Sequence, residues 1–287
     1  MRRPVSTNPA TLATLAALAV AGLLVVLALL FMAPGQEQKT WTGETLRVGY
    51  AEEYPFAFRD ASGRVTGEGP ETARAVLTQL GVTDIQWVLA EFSSLIPRLE
   101  EGDIDMIAAG MFATPERAKR IAFSLPTVRV GQGLLVRAGN PKGLSSYDEA
   151  ARRPDVVLAV LAGSVEEAYL GGLGIPEAQL FTVPDVATGV AAVTAGRVDG
   201  LALSSPTVNL LARGTNGACQ AAAPFVGPLT DGREDKGQAA FGFRKADTAL
   251  RECVNGVLAD FIGAPEHLEL VGPFGFTARD MPGDTTP

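Results

Sequence analysis

The chain has 287 residues and a formal charge of −8, from 24 basic and 32 acidic side chains. That length suffices for a buried core built as one two-lobed unit or as two domains. The acidic balance argues against nucleic acid or anionic lipid as a partner, because both require a basic footprint.

Met1-Arg2-Arg3 is basic, and residues 10–33 form an uncharged run rich in Leu, Ala and Val. Such a run of about 24 residues can cross a hydrocarbon core, which needs roughly 20. Cleavable signal peptides carry a shorter apolar region, roughly 7–15 residues. Pro34 disfavours cleavage after Ala33, and no nearby cysteine offers a lipid anchor. We therefore expect residues 1–34 to be a basic start and an uncleaved transmembrane signal-anchor, with a cleaved signal as the alternative. The arginines place the amino terminus in the cytoplasm and the remainder outside. Residues 35–43 read as a polar tether and 281–287 as a disordered tail.

In chain order, residues 45–50 form a strand that runs into Glu52-Glu53-Tyr54-Pro55-Phe56, where Pro55 enforces an extended or turned backbone. Residues 60–64 are a turn. Residues 70–80 read as a helix with Ala73, Val76, Leu77 and Leu80 on one face and Gly81 as its stop. Residues 85–88 are a strand, and Ser93 or Ser94 caps a helix that reaches Gly102. A third strand, 104–108, leads into Gly110-Met111-Phe112-Ala113-Thr114-Pro115-Glu116-Arg117. This alternation predicts a parallel sheet covered by helices.

Residues 121–126 and 133–137 are extended, joined at Val130-Gly131-Gln132-Gly133. A second α/β set follows. It comprises strand 155–161, the turn Ala162-Gly163-Ser164 and helix 165–170, with Ser164 and Glu167 in capping-box spacing. Strand 182–183, a helix from Asp185 to Gly196, strand 198–203 and helix 206–211 come next. Residues 219–237 read as loop. Strand 239–243 and a helix after Asp247, bearing Leu250, Val254, Val257, Leu258 and Phe261, close the fold. His267, the sole histidine, is expected at the surface. Cys219 and Cys253 are the only cysteines. Outside the cytoplasm they could form a disulfide or stay as separate thiols, and sequence does not supply the Cα distance that decides. There is no His/Cys cluster with metal spacing and no phosphate loop, so no cofactor or metal is expected.

These landmarks, taken in order, resemble a family 3 solute-binding protein of an ABC importer. They include Phe92-Ser93-Ser94-Leu95, Thr114-Pro115-Glu116-Arg117, Ala162-Gly163-Ser164-Val165-Glu166-Glu167, Ala195-Gly196-Arg197-Val198-Asp199 and Gly242-Phe243-Arg244-Lys245. The resemblance implies an α/β, type II periplasmic-binding fold: two lobes joined by a two-segment hinge. The first lobe would be 44–129 plus 239–280. Residues 130–238 would hold the hinge segments, near 129–132 and 235–239, and the second lobe. In relatives that bind amino acids, the arginine matching Arg117 clamps a carboxylate, assisted by backbone donors at the turn matching Gly163 and Ser164. A late lobe 2 aspartate holds the ammonium.

That aspartate is replaced here by Ser204 and Ser205, and Phe112 stands where a small hydroxyl residue is expected. The expected cleft then holds Phe56, Phe92 and Phe112, with Glu53 and Arg117 as its charges. Rings with one carboxylate suit a diffuse, weakly hydrated cation, and a guanidinium suits a carboxylate. The Glu53-Tyr54-Pro55-Phe56 loop, Phe112, Val183-Pro184-Asp185 and Gly275-Phe276 are similar to ectoine/hydroxyectoine-binding proteins, which makes Asp185 a further candidate for cleft contact. Phe92 departs from that pattern by lacking a phenol. The expectation is a monomeric, non-enzymatic binding protein on the outer face of the cell membrane. It would deliver ectoine, hydroxyectoine or a similar small zwitterion to permease subunits. The alternatives are a polar amino-acid-binding protein and a cyclohexadienyl-dehydratase-like enzyme on the same fold.

Overall fold

The structure, a computed structural model, describes residues 41–283 apart from Thr42. The expected signal-anchor, nearly all of the tether and residues 284–287 of the tail lie outside the described residues. Among the described residues, no helix is long and apolar enough to cross a membrane.

The chain begins with β1 (Thr45–Tyr50), β2 (Phe58–Arg59), β3 (Val65–Thr66), α1 (Glu68–Gln79), β4 (Asp84–Leu89), α2 (Leu95–Glu101), β5 (Met106–Ile107), α3 (Pro115–Ala118) and β6 (Ala122–Val130). After Gly131 it builds a second lobe from β7 (Gln132–Arg137), α4 (Tyr147–Ala151), β8 (Leu158–Leu161), α5 (Val165–Gly172), β9 (Leu180–Val183), α6 (Val186–Thr194), β10 (Gly200–Ser204), α7 (Ser205–Gly214) and β11 (Cys219–Ala221). A short hairpin, β12 (Leu229–Thr230) with β13 (Arg233–Glu234), precedes the return through β14 (Gly237–Phe243), α8 (Thr248–Phe261) and α9 (Pro265–Val271).

Each lobe carries a five-stranded sheet, ordered β4-β1-β5-β14-β6 in the first and β11-β7-β10-β8-β9 in the second. β1 runs parallel to β4 and β5, while β14 runs antiparallel to β5 and β6. In the second lobe β8 is parallel to β10 and β9, and β7 is antiparallel to β10 and β11. The strands that cross between lobes, β6 into β7 and β13 into β14, are therefore the antiparallel members. One apolar cluster fills the first lobe around Val48, Leu77, Phe241 and Val254. Another fills the second around Tyr147, Leu158 and Leu170. A third includes residues of both, among them Phe92, Leu95, Leu161 and Leu201.

Differences from the sequence reading trace to identifiable hydrogen-bond and packing partners. α1 starts at Glu68 rather than residue 70 because the Glu68 and Gly69 N–H groups donate to Pro55 O (3.0 Å) and Phe56 O (2.9 Å), partners from a distant loop. Ser94 does not cap α2 with its side chain; its hydroxyl donates to Glu91 O (2.8 Å) across a 3₁₀ turn. β11 and the β12–β13 hairpin arise inside the stretch read as loop, and β11 gains its ladder from β7. His267 is fully buried, not at the surface. Its Nδ1 accepts from Gly263 N–H (3.2 Å), its ring packs on Phe261, and burial lowers its pKa to about 4. Cys219 and Cys253 are free thiols: one lies in β11 of the second lobe and the other in α8 of the first. No disulfide links them.

Candidate functional site

In open α/β sheets, ligands meet the loops that follow the carboxyl ends of parallel strands. Here those loops follow β1, β5, β8 and β10, and they face one another across the two lobes. Glu53 follows β1 in a tight loop: its carbonyl accepts from Phe56 N–H (2.8 Å) and Ala57 N–H (3.0 Å), and its N–H donates to Ala57 O (2.8 Å). After β5 the chain turns at Gly110, whose φ of +64° suits glycine. A Cβ at Gly110 would lie 2.5 Å from the Phe56 ring. The next residues are stitched to β14 by Ala240 N–H to Met111 O (3.0 Å) and Ala113 N–H to Gln238 O (2.9 Å). Gly237 lets Phe112 sit against that strand, since a Cβ there would fall 2.1 Å from the ring.

Thr114 caps α3 by accepting from Arg117 N–H (3.2 Å). Arg117 then reaches back. Its guanidinium donates to Phe112 O (2.7 Å) within its own lobe and to Gly163 O (2.8 Å) in the other. It also lies over the Phe92 ring, 5.4 Å from the centroid. Arg117 takes no part in structural pairing with its neighbours: Glu116 bonds Lys119, and Asp105 bonds Arg47 and Arg244. Phe56 and Phe112 meet edge to face at 6.5 Å, and all three phenylalanines are buried. Phe92 thus faces the Arg117 guanidinium itself.

Gly163 opens the lobe 2 side at φ +75°, and a Cβ there would lie 3.1 Å from Ser93 Cα in the first lobe. Its N–H donates to Glu167 Oε2 (2.8 Å), and the Ser164 N–H donates to Leu161 O (3.0 Å). Both backbone donors expected to face an anion are therefore engaged within lobe 2, and Gly163 offers its carbonyl to Arg117 instead. Ser164 Oγ accepts from Glu167 N–H (3.1 Å), but the Glu167 carboxylate serves Gly163 rather than closing a capping box on Ser164. Asp185 is exposed and caps α6, accepting from Thr188 N–H (2.7 Å). It does not join the central cavity. It lines a separate groove of about 350 Å³ that shares only Phe92 and Leu161 with that cavity.

The central cavity is lined by Glu53, Phe56, Phe92, Phe112, Arg117 and Ser164, by Ser204 at the position where relatives carry an aspartate, and by Glu166, which the sequence reading did not place there. Ser204 Oγ lies 3.0 Å from Thr207 Oγ1, and Thr207 Oγ1 donates to Glu53 Oε1 (2.9 Å). Hydroxyls thus occupy the region expected to hold an aspartate, and they bind the lobe 1 carboxylate. Lobe 2 nevertheless supplies a carboxylate, from Glu166. The Gln132 amide, with its nitrogen turned toward lobe 2, donates to Glu166 Oε1 and to Leu203 O (3.3 Å). Glu166 is buried one turn before the buried Leu170 on α5. That i, i+4 pairing was the available sequence signal: an acid on the apolar face of its helix.

Burial chiefly, and then the charge of Glu166, push the Glu53 carboxyl up to about 7, against the opposing bond from Thr207. Glu53 keeps some accessible surface, but protein from both lobes surrounds it. Burial also raises the Glu166 carboxyl. Its own N–H, Ser164, Arg117 and Gln132 all oppose that rise. Burial lowers the Arg117 pKa, and the charge of Glu166 partly restores it. The cavity has a volume of about 30 Å³, enough for a water but not an organic solute. A larger chamber of about 660 Å³ adjoins it past Phe112, Arg117 and Glu166, reaching Arg129, Tyr169 and Lys236. A solute can occupy the centre only if the interlobe bonds Arg117–Gly163 and Thr207–Glu53 give way.

Two α/β lobes with a polar and aromatic cleft at their strand ends define a solute-binding architecture, the type II periplasmic-binding fold. The chain belongs to the bacterial extracellular solute-binding proteins, family 3, whose profile matches residues 46–271. It is 33% identical over 238 residues to a probable amino-acid ABC transporter periplasmic-binding protein, y4tE, of Sinorhizobium fredii, covering 82% of this chain and 78% of that one. Among solved structures it is similar to EhuB in complex with hydroxyectoine, with TM-score 0.75 and 31% identity over 82% of this chain and 90% of the other. It is also similar to the ancestral amino acid-binding protein AncCDT-1, a precursor of cyclohexadienyl dehydratase. There the TM-score is 0.70 and the identity 29%, over 80% of this chain and 95% of that one.

Proposed function

We propose that this protein captures ectoine, hydroxyectoine or a similar small zwitterion outside the cytoplasm and delivers it to the permease of an ABC importer. The observation that carries this reading is Arg117 set in a cavity walled by Phe56, Phe92 and Phe112, with Glu53 at the same cavity. A guanidinium takes the solute's carboxylate, and rings with a carboxylate take a delocalised cation. The likeness to a hydroxyectoine complex supports the same solute class. Gly131 and the stretch between β13 and β14 are the hinge in this reading, and the solute enters as the lobes part. The function is binding, not catalysis.

The second reading is a polar amino acid. It is favoured by the likeness to the probable amino-acid-binding protein of Sinorhizobium and by Glu166, which gives lobe 2 a counter-charge for an ammonium. Calorimetry against ectoine, hydroxyectoine, glycine betaine, proline, arginine and glutamine separates the two. Tight binding of ectoine or hydroxyectoine supports the first reading; tight binding of a primary amino acid alone overturns it.

A further inference from the structure

The cleft holds two carboxylates and one guanidinium, and the carboxylates come from opposite lobes. Glu53 follows β1 of the first lobe, and Glu166 lies in the first turn of α5 in the second. Both line the same small cavity as Arg117, and each lies within electrostatic reach of the other. Their hydrogen-bond partners are neutral: Thr207 for Glu53, and Gln132 and Ser164 for Glu166. The remaining ionisable groups nearby are committed elsewhere. Glu52 bonds Arg59, Glu167 bonds Gly163 and Thr182, and the Tyr147 phenol donates to Gly133 O (2.6 Å) and Leu203 O. Burial holds that phenol protonated. The net charge of the small cavity is therefore set by Arg117 and this acid pair, while Glu116, Arg129, Asp235 and Lys236 line the larger chamber beyond it.

The charge count has a consequence for ligand choice. With both acids ionised, the three groups sum to one negative charge. With one of the two acids protonated, they sum to zero. A zwitterion adds no net charge and fits the protonated pair. A solute with one extra positive charge, such as arginine, leaves the cleft neutral only when the pair is fully ionised. Uncompensated charge in a water-poor site is costly, so each protonation state favours its own solute.

We propose that Glu53 and Glu166 form a charge-matching pair that selects the solute's net charge: with one of the two protonated it accepts a zwitterion, and losing that proton to solvent it accepts a solute carrying one additional cation. Glu166 is then a specificity residue of the lobe that closes over the ligand. The proposal deepens the reading given under Proposed function and rests on its assignment of this cleft as the binding site. No other species is needed, because the carboxyl O–H bond that breaks delivers its proton to water as the cation arrives.

The test is calorimetric titration of the full chain with ectoine and with L-arginine from pH 5.5 to 8.5, in buffers of different ionisation enthalpy. Wild-type protein is expected to bind ectoine without net proton release. Arginine is expected to release close to one proton at pH 6.5, so its affinity rises about tenfold per pH unit until the pair is ionised, near neutral pH. In Glu166→Gln and Glu53→Gln, the cleft keeps a single carboxylate. Arginine affinity should then fall at least tenfold at pH 8, and its proton release should vanish, while circular dichroism and melting confirm a folded chain. Equal proton stoichiometry for the two solutes, or an unchanged arginine pH profile in both variants, overturns the pairing. Failure of ectoine to bind at any pH, with arginine binding and releasing a proton, would instead overturn the zwitterion function and leave the pair standing. If arginine fails to bind at every pH while ectoine binds, the pair does not select charge and the proposal is overturned.

Discussion

Removing the Arg117 guanidinium by Arg117→Ala tests the site most directly. In the closed cleft that group makes two short bonds, to Phe112 O (2.7 Å) and Gly163 O (2.8 Å), and rests on the Phe92 ring. In the complex it is proposed to give those donors to the solute's carboxylate. Truncating one partner of a buried charged pair costs roughly 2–5 kcal/mol of binding, much of it from the partner charge left without compensation. At about 1.4 kcal/mol per tenfold, the dissociation constant should rise by about 30-fold to several thousandfold. The effect on stability should be far smaller. Arg117 is half-buried and Gly163 exposed, so water replaces the interlobe bond. Two net hydrogen bonds correspond to about 1–3 kcal/mol, and the melting temperature should fall by roughly 2–10 °C. Calorimetric titration with the solute that wild-type protein binds, paired with a thermal melt, measures both. Affinity within threefold of wild type in a folded variant would refute the carboxylate clamp.

Other consequences concern stability and redox state. Gly237→Ala places a Cβ 2.1 Å from the buried Phe112 ring, so a denaturant melt should show a loss of about 1–3 kcal/mol, with weaker solute binding as the ring moves. Glu68 is buried at the start of α1, with Oε1 lacking a hydrogen-bond partner and its carboxyl pushed up to about 7 by burial. The folded value exceeds the unfolded one. Its contribution is therefore complete at low pH and is lost as pH rises from about 4.5 through 7, so Glu68→Gln should stabilise the protein more at pH 8 than at pH 5 in urea melts. His267 runs the opposite way. Its folded pKa of about 4 lies below the ordinary 6.5, so stability is full above 6.5 and is lost as pH falls toward 4; His267→Gln should flatten that acid limb. Thiol titration of unfolded protein under non-reducing conditions should count two free thiols, and a count of zero would contradict the placement of Cys219 and Cys253 in different lobes.

Much of the architecture was legible because it depends on local chemistry. Apolar spacing located α1, α6 and α8, and Ser164 and Asp185 each cap the helix that follows them, as their sequence neighbours indicated. The stretch from Gly110 to Arg117 carried its own signals: a glycine turn, an apolar ring, a Thr-Pro cap and a terminal guanidinium. Where the reading failed, the deciding contact was one that neither periodicity nor capping patterns encode. His267 looked like a surface residue until α9 packed its ring beside Phe261. The Gly163 N–H looked free for an anion until the Glu167 side chain reached back to it.

The sequence by itself determined the two α/β sets, which follow from periodicity, caps and turn residues, each encoded within a few positions. The return of the last strand to the first lobe and the meeting of Arg117 with aromatic rings were expected only from the family resemblance. Only the tertiary structure decided the charge of the cleft. It brought Glu53 to Thr207, 154 residues away, and it turned Glu166 rather than Glu167 inward. The spacing of Glu166 to Leu170 places that acid on the buried face of its helix, but it does not say what the face meets. That this face closes the same cavity as Glu53 and Arg117 is a property of packing across the whole chain.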